Sequence, residues 1–287
     1  MKNINFMYYA TGYQRILDSM IDPIIPHLKQ YTKIPKHQEG SLNVNFFKEE
    51  SPTEVFISHG IADKNWRDAE AVKGYDCVFV SGEAWVDKLV EQGMDKSKIY
   101  ITGYTKLDPV FQRHYKKKDN IHTKTVLFAP THNAYPPVSL YNRLKLSDDD
   151  FNAPYLFSVI ESCHPTTKGD KAPTFQELVD ADVVISDCSS IVYEAWALGK
   201  PVVFADWLVK EPIRYCFKGS FEDYIYSFNL GLHAKSLPHM IELIEQAAEN
   251  PGLDKEVNSF MEGIFPKTLR GVSGFVTADT LKGLAKL

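Results

Sequence analysis

The chain has 287 residues, 44% of them apolar and 24% charged, with a formal net charge of −5. This is an ordinary globular composition, with core material for about two domains. The acidic balance argues against a dedicated nucleic-acid binder, whose footprint is basic.

Taken in chain order, short apolar runs alternate with helical patterns. A run at 4–9 reads as a strand, and 13–30 follows with Ile16, Met20, Ile24 and Leu28 at helical spacing, bent or ended by Pro23 and Pro26. Further strand-like runs fall at 54–58, 77–80 and 99–102, with a helix over 83–92 that enters through Ser81-Gly82 and leaves at Gly93. The stretch 114–124 is charged and lacks apolar periodicity, and so reads as a connector. Beyond it lie runs at 125–129, 156–160, 183–185 and 202–204, an irregular loop over 135–154, a helix over 237–250, and helical sequence after Pro266. Most runs are β-branched or aromatic without strict alternation, as parallel strands covered on both faces are. The expected fold is α/β with two lobes, 1–115 and 116–287, the last helix packing back on the first lobe.

The cysteines, Cys77, Cys163, Cys188 and Cys216, form no CxxC pair, so a structural zinc site has no support and a reducing compartment fits best. The first 13 residues lack the apolar core of a signal peptide, and no run of about 18 apolar residues is present to span a bilayer.

Four motifs sit just past strand-like runs. His59-Gly60 places an imidazole at a strand exit, where its ordinary pKa suits proton transfer. The bland reading is a loop histidine held by hydrogen bonds. Ala129-Pro130-Thr131-His132 stiffens a second exit and brings polar groups to it. Ser162-Cys163-His164-Pro165 ends a third, with Pro165 forcing His164 into extended backbone. In Asp187-Cys188-Ser189-Ser190, followed by a helix carrying Glu194, two hydroxyls accompany the N–H groups of a helix start, an arrangement that suits a phosphate group. Its bland reading makes Asp187 a helix cap and Glu194 part of a solvated face. The carboxyl ends of strands are where open α/β sheets hold ligands. No GxxxxGK[ST], no GxGxxG after a strand and no GxSxG occur, which removes Walker-type NTPases, Rossmann dehydrogenases and hydrolase triads. Asp148-Asp149-Asp150 is the nearest approach to an acidic metal motif, and it lies in the irregular loop.

In this order the motifs resemble those of the CDP-glycerol glycerophosphotransferase family, the teichoic-acid primases and polymerases. The matching residues are His59-Gly60, the stretch from Gly103 through Lys106 to Asp108, Ala129-Pro130-Thr131, His164-Pro165, Asp187 to Ser190 with Glu194, and Gly199-Lys200-Pro201. The resemblance implies a GT-B fold, two Rossmann-like lobes with parallel sheets facing a central cleft. It implies a cytoplasmic enzyme, peripheral to the membrane, that moves glycerol phosphate from CDP-glycerol to a hydroxyl on a lipid-linked or glycopolymer acceptor and releases CMP. His59 would be the base and His164 would steady the donor phosphates. Ser189 and Ser190 would bind the diphosphate, Pro130, Thr131 and His132 would line the nucleoside pocket, and Asp187 and Glu194 would complete the donor site. Gly60, Gly103 and Lys106 would support it. No metal or other cofactor is implied. Two other readings stay open: a GT-B glycosyltransferase using a nucleotide-activated sugar, and a non-catalytic nucleotide- or glycan-binding relative.

Overall fold

The computed structural model describes residues 2–8, 14–47, 54–65, 68–118, 123–131, 137–151, 156–162 and 174–286. The chain divides into two compact units. The first comprises Met1–Ile61, Trp66–His114 and Glu262–Leu287, and the second comprises Ala62–Asn65 and Tyr115–Met261. The division at Tyr115 falls within the charged connector. The second unit ends at Met261 rather than at the C-terminus, and it takes in four residues, 62–65, from the middle of the first.

In the first unit, β1 (Asn3–Met7), β2 (Tyr31–Ile34), β3 (Ser41–Asn45), β4 (Val55–Ile57), β5 (Cys77–Val80) and β6 (Ile99–Ile101) form a parallel sheet in the order β2-β1-β3-β4-β5-β6. The helical pattern after β1 is realised as α1 (Gln14–Ile21), which buries Leu17, Met20 and Ile21, and then as a separate single turn at Ile25–His27. Pro23 and Pro26 account for the break, because proline lacks the amide proton that would continue the helix. The short helix α2 (Ala69–Val72) is capped by Asp68, whose carboxylate accepts from the Ala71 amide. Helix α3 (Glu83–Glu91) turns Trp85, Val86 and Leu89 inward, and α4 (Asp108–Phe111) follows β6.

Strands β2 and β3 are additions to the sequence reading. Strand β3 is buried along its whole length although it carries two asparagines. Asn43 and Asn5 are both fully buried, and the Asn5 amide donates to Asn43 Oδ1 over 3.0 Å. That oxygen also accepts from the Gln38 backbone over 2.9 Å. Paired side-chain amides satisfy each other where a core strand would otherwise be apolar.

In the second unit, β7 (Thr123–Phe128) and β8 (Leu156–Glu161) are followed by α5 (Phe175–Asp180), β9 (Val183–Ser186), α6 (Ser190–Ala197), β10 (Val202–Ala205), α7 (Asp206–Cys216), α8 (Phe221–Phe228), β11 (Leu232–Ala234), α9 (Leu237–Glu249) and α10 (Lys255–Ile264). The strands form a parallel sheet in the order β11-β10-β9-β7-β8. Every residue of β9 and β10 is buried, which explains their unbroken apolar character. Lys200 of the Gly-Lys-Pro motif has a structural task. Its ammonium donates to the Val179 and Ala181 carbonyls at the end of α5, and burial pulls its pKa down to about 8.

Helix α10 returns the chain to the first unit, where α11 (Ser273–Leu284) packs. Its start is tied down by Asp108, whose carboxylate accepts from the Ser273 and Gly274 amides at 3.2 and 2.6 Å. Gly274 has no room for a Cβ, which would overlap the Pro23 carbonyl. Burial raises the Asp108 pKa to about 6, and the two amide donors offset this only in part. A carboxyl whose pKa rises on folding stabilises most below its ordinary pKa and loses that contribution as pH climbs through the folded value. We therefore expect the stability of wild type relative to Asp108→Asn to fall by about 3 kcal/mol between pH 4 and pH 6.5. Urea titrations of both proteins at the two pH values check this, and parallel pH profiles would show that Asp108 stays ionised throughout.

Candidate active site

The strand order of the second unit reverses at β7 and β9, since the chain runs from β7 outward to β8 on one side and through β9, β10 and β11 on the other. Parallel sheets of this order leave a crevice at the carboxyl ends of the two strands flanking the reversal. Ala129-Pro130-Thr131 leaves β7 there, and Asp187-Cys188-Ser189-Ser190 leaves β9. Two of the four sequence motifs therefore meet at one place for a topological reason.

Asp187 fixes the two loops to each other. Its carboxylate, 1% exposed, accepts from the backbone N–H of Thr131 at 2.9 Å, of Leu140 at 2.9 Å and of Cys188 at 2.6 Å. Burial pushes its pKa up, against the pull of the Leu140 and Thr131 amides and of the Lys64 charge. Ser139 adds a second tie, donating its hydroxyl to the Thr131 carbonyl over 2.8 Å. The helix cap is Ser189 and not Asp187: the Ser189 hydroxyl accepts from the Ile191 amide over 3.3 Å. Ser189 and Ser190 are half-buried, so both hydroxyls lie at the rim of the crevice. Glu194 is 3% exposed, which rules out a solvated face. Pro130 is buried, and Thr131 is 3% exposed. The Cys188 thiol is enclosed, and burial drives its pKa upward, so it is not a nucleophile at neutral pH.

One residue of this site carried no signal in the sequence reading. Lys64, 8% exposed, places its ammonium 3.2 Å from Thr131 Oγ1. It stands five positions after His59, in a stretch with no recognisable motif.

In the first unit, His59 follows β4 and lies against the end of β3. Its Nδ1 is 3.0 Å from the Phe46 carbonyl oxygen, and its ring stacks on Phe47 with centroids 4.2 Å apart and planes at 29°. A carbonyl oxygen only accepts, so Nδ1 carries the proton and the basic nitrogen of the neutral ring is Nε2. The Ser58 hydroxyl donates to the Gly60 carbonyl over 2.8 Å, which tightens the turn after the histidine. Gly103 has φ +84°, and a Cβ there would overlap Ser273 Oγ, so glycine is required where the turn after β6 meets α11. Lys106 is half-buried in the adjoining turn Thr105–Leu107. His132, Cys163, His164 and Pro165 lie outside the described residues. Among the described residues no group of three or more His, Cys, Asp or Glu side chains is disposed to hold a metal ion, and Asp148 and Asp150 serve the loop itself, accepting from the Val159 and Ser147 amides.

No protein-family model matches the chain. Over 225 residues, 67% of the chain, it is 26% identical to a teichoic acid poly(ribitol-phosphate) polymerase of Bacillus spizizenii, and it spans about a third, 35%, of that protein's length. Its fold is similar over 99% of the chain to a wall teichoic acid polymerase, TagF, solved after a soak with CDPG, with TM-score 0.59, 13% identity and 88% of that chain covered. A UDP-GlcNAc 2-epimerase from Neisseria meningitidis bound to UDP-GlcNAc is also similar, with TM-score 0.56 and 14% identity, over 99% of this chain and all of that one. Two parallel α/β units of this kind are the GT-B architecture that the motifs implied. In sequence and in fold, this chain is similar to the teichoic acid polymerases that its motifs resemble.

Proposed function

We propose that the chain transfers glycerol phosphate from CDP-glycerol to an acceptor hydroxyl in the synthesis of teichoic acid or a related polymer. The observation that carries this reading is the convergence of Thr131, Ser189 and Ser190 on one crevice, at the switch point of a parallel sheet and at the start of α6. The motif resemblance and the polymerase relative select the chemistry for that crevice. In the proposed step the acceptor oxygen attacks the β-phosphorus of CDP-glycerol. The new P–O bond forms as the bond to the CMP oxygen breaks, and the hydroxyl proton passes to His59 Nε2. Such chemistry rests on positioning and charge stabilisation. Helix N–H groups and hydroxyls placed before the reaction stabilise charge at no cost in reorganisation. Pro130 and His132 flank the nucleoside, Glu194 supports the loop from within α6, and His164 joins the phosphates from its strand exit. No step is assigned to a metal or other cofactor. The acceptor chemistry places the enzyme at the cytoplasmic face of the membrane.

The relative named above polymerises ribitol phosphate, which makes CDP-ribitol the second donor to try. The test is CMP release from CDP-glycerol, CDP-ribitol and UDP-GlcNAc, each with a polyol-phosphate acceptor and with or without EDTA. We expect CMP from CDP-glycerol, undiminished by EDTA. Turnover of UDP-GlcNAc alone would move the chain to the nucleotide-sugar transferases, and no turnover of any donor would favour a binding protein.

A further inference from the structure

The four residues Ala62–Asn65 are structurally part of the second unit, although the chain on both sides of them belongs to the first. Two of them have an unusual backbone. Lys64 has φ 50° and Asn65 φ 56°, the left-handed region that a residue with a Cβ enters only when its surroundings impose it. Those surroundings are a set of buried acceptors. The Glu222 carboxylate, 1% exposed, accepts from the Asp63 amide at 2.9 Å, from the Lys64 amide at 2.7 Å and from the Tyr193 hydroxyl at 2.6 Å. Asp63, fully buried, accepts from the Asn65 amide at 3.1 Å and from the Phe221 amide at the start of α8 at 2.9 Å. The Asn65 side chain donates to the Lys218 carbonyl over 3.0 Å, and the Ala62 amide donates to the Ser190 hydroxyl over 3.3 Å. Glu222 and Asp63 thus define a turn by accepting its amides. Its product is a single placement: the Lys64 ammonium beside Thr131, at the mouth of the crevice where Ser189 and Ser190 also lie.

A lysine alone, held this way, is compatible with two roles. It could balance the charge of Asp187 and Glu222, or it could meet an anion brought by a ligand. The placement decides between them. A counter-ion for Glu222 would be held by an ammonium–carboxylate contact, yet Glu222 binds the strap by its amides while the ammonium reaches on to a neutral hydroxyl. The Asp187 oxygens are occupied by three backbone amides. We infer that Lys64 is the cationic contact for the phosphate groups of a nucleoside diphosphate bound at Thr131 and Ser189–Ser190, and that Glu222 is the positioning residue that sets it there. This rests on the crevice being a nucleotide-donor site, as proposed above, but not on which base or transferred group the donor carries.

The test is calorimetric binding of CDP, UDP, cytidine and uridine to wild type, Lys64→Met, Lys64→Arg and Glu222→Gln. Wild type should hold at least one of the two diphosphates about 10- to 100-fold more tightly than its nucleoside, the range of a charge-assisted hydrogen bond. Lys64→Met should reduce that ratio to within about threefold of unity and leave nucleoside affinity unchanged, and Lys64→Arg should restore most of it. Glu222→Gln should lower the ratio with Lys64 still present. In the CMP-release assay it should act mainly on KM for the donor, where a purely structural role would change only the melting temperature. Lys64→Met retaining the wild-type ratio, or a wild type that does not prefer a diphosphate over its nucleoside, would overturn the inference. A wild type that prefers UDP and loses the preference in Lys64→Met would overturn only the CDP-glycerol assignment.

Discussion

His59→Ala lowers turnover of CDP-glycerol by about 10²–10⁴-fold and leaves its binding within about threefold of wild type. The direction follows from the ring's tautomer. The Phe46 carbonyl fixes a proton on Nδ1, and Phe47 holds the ring plane, so Nε2 is presented as a base without a search among orientations. A base acts only while a proton is being taken, which means its loss is felt in kcat and not in the affinity for a donor that carries no proton to give. Because alanine also removes the stacking on Phe47, the comparison needs a second variant. His59→Asn keeps an amide that donates to the Phe46 carbonyl and has no basic nitrogen. It should lose as much activity as His59→Ala at a melting temperature nearer to wild type. Steady-state rates and donor titrations of both variants settle the matter. Activity retained in His59→Asn would transfer the role of base to another group.

The fold class was legible because parallel strands covered on both faces must be continuously apolar. Val183–Ser186 and Val202–Ala205 are buried at every position and read as strands without ambiguity. Strand β3 was hidden by the same logic. Its asparagines look solvated, and only the partner amide of Asn5, 38 positions away, makes them core residues. Strand β11 is three residues long and carries a histidine, which is too little pattern to recognise. The candidate site was legible wherever a polar group directly follows a strand, since sheet geometry alone brings the ends of β7 and β9 together. What composition could not reveal was the strap at 62–65. Its position depends on Glu222, more than 150 residues later, and on a left-handed turn that no glycine announces. Asp187 was found for the wrong reason. The sequence offered it as a helix cap or a donor contact, and its carboxylate in fact joins two loops.

That distinction yields an effect as large on stability as the His59 variant has on rate. Asp187→Ala strands the Thr131, Leu140 and Cys188 amides in a buried place where no water replaces the lost acceptor. A buried donor left unsatisfied costs about 1–3 kcal/mol, so three of them cost at least about 3 kcal/mol together. For a protein of this size that lowers the melting temperature by about 6–12 °C. Asp187→Asn is no remedy, because its amide nitrogen must face one of the N–H groups and repel it, so it should recover less than half of the loss. Loosening the two loops also spreads Thr131 away from Ser189, and donor affinity should fall together with stability in both variants. Thermal melts with and without CDP-glycerol separate this from direct recognition. A carboxylate that touched the donor would, on replacement, weaken binding while leaving the ligand-free melting temperature within about 2 °C of wild type, and that result would return Asp187 to the list of donor contacts.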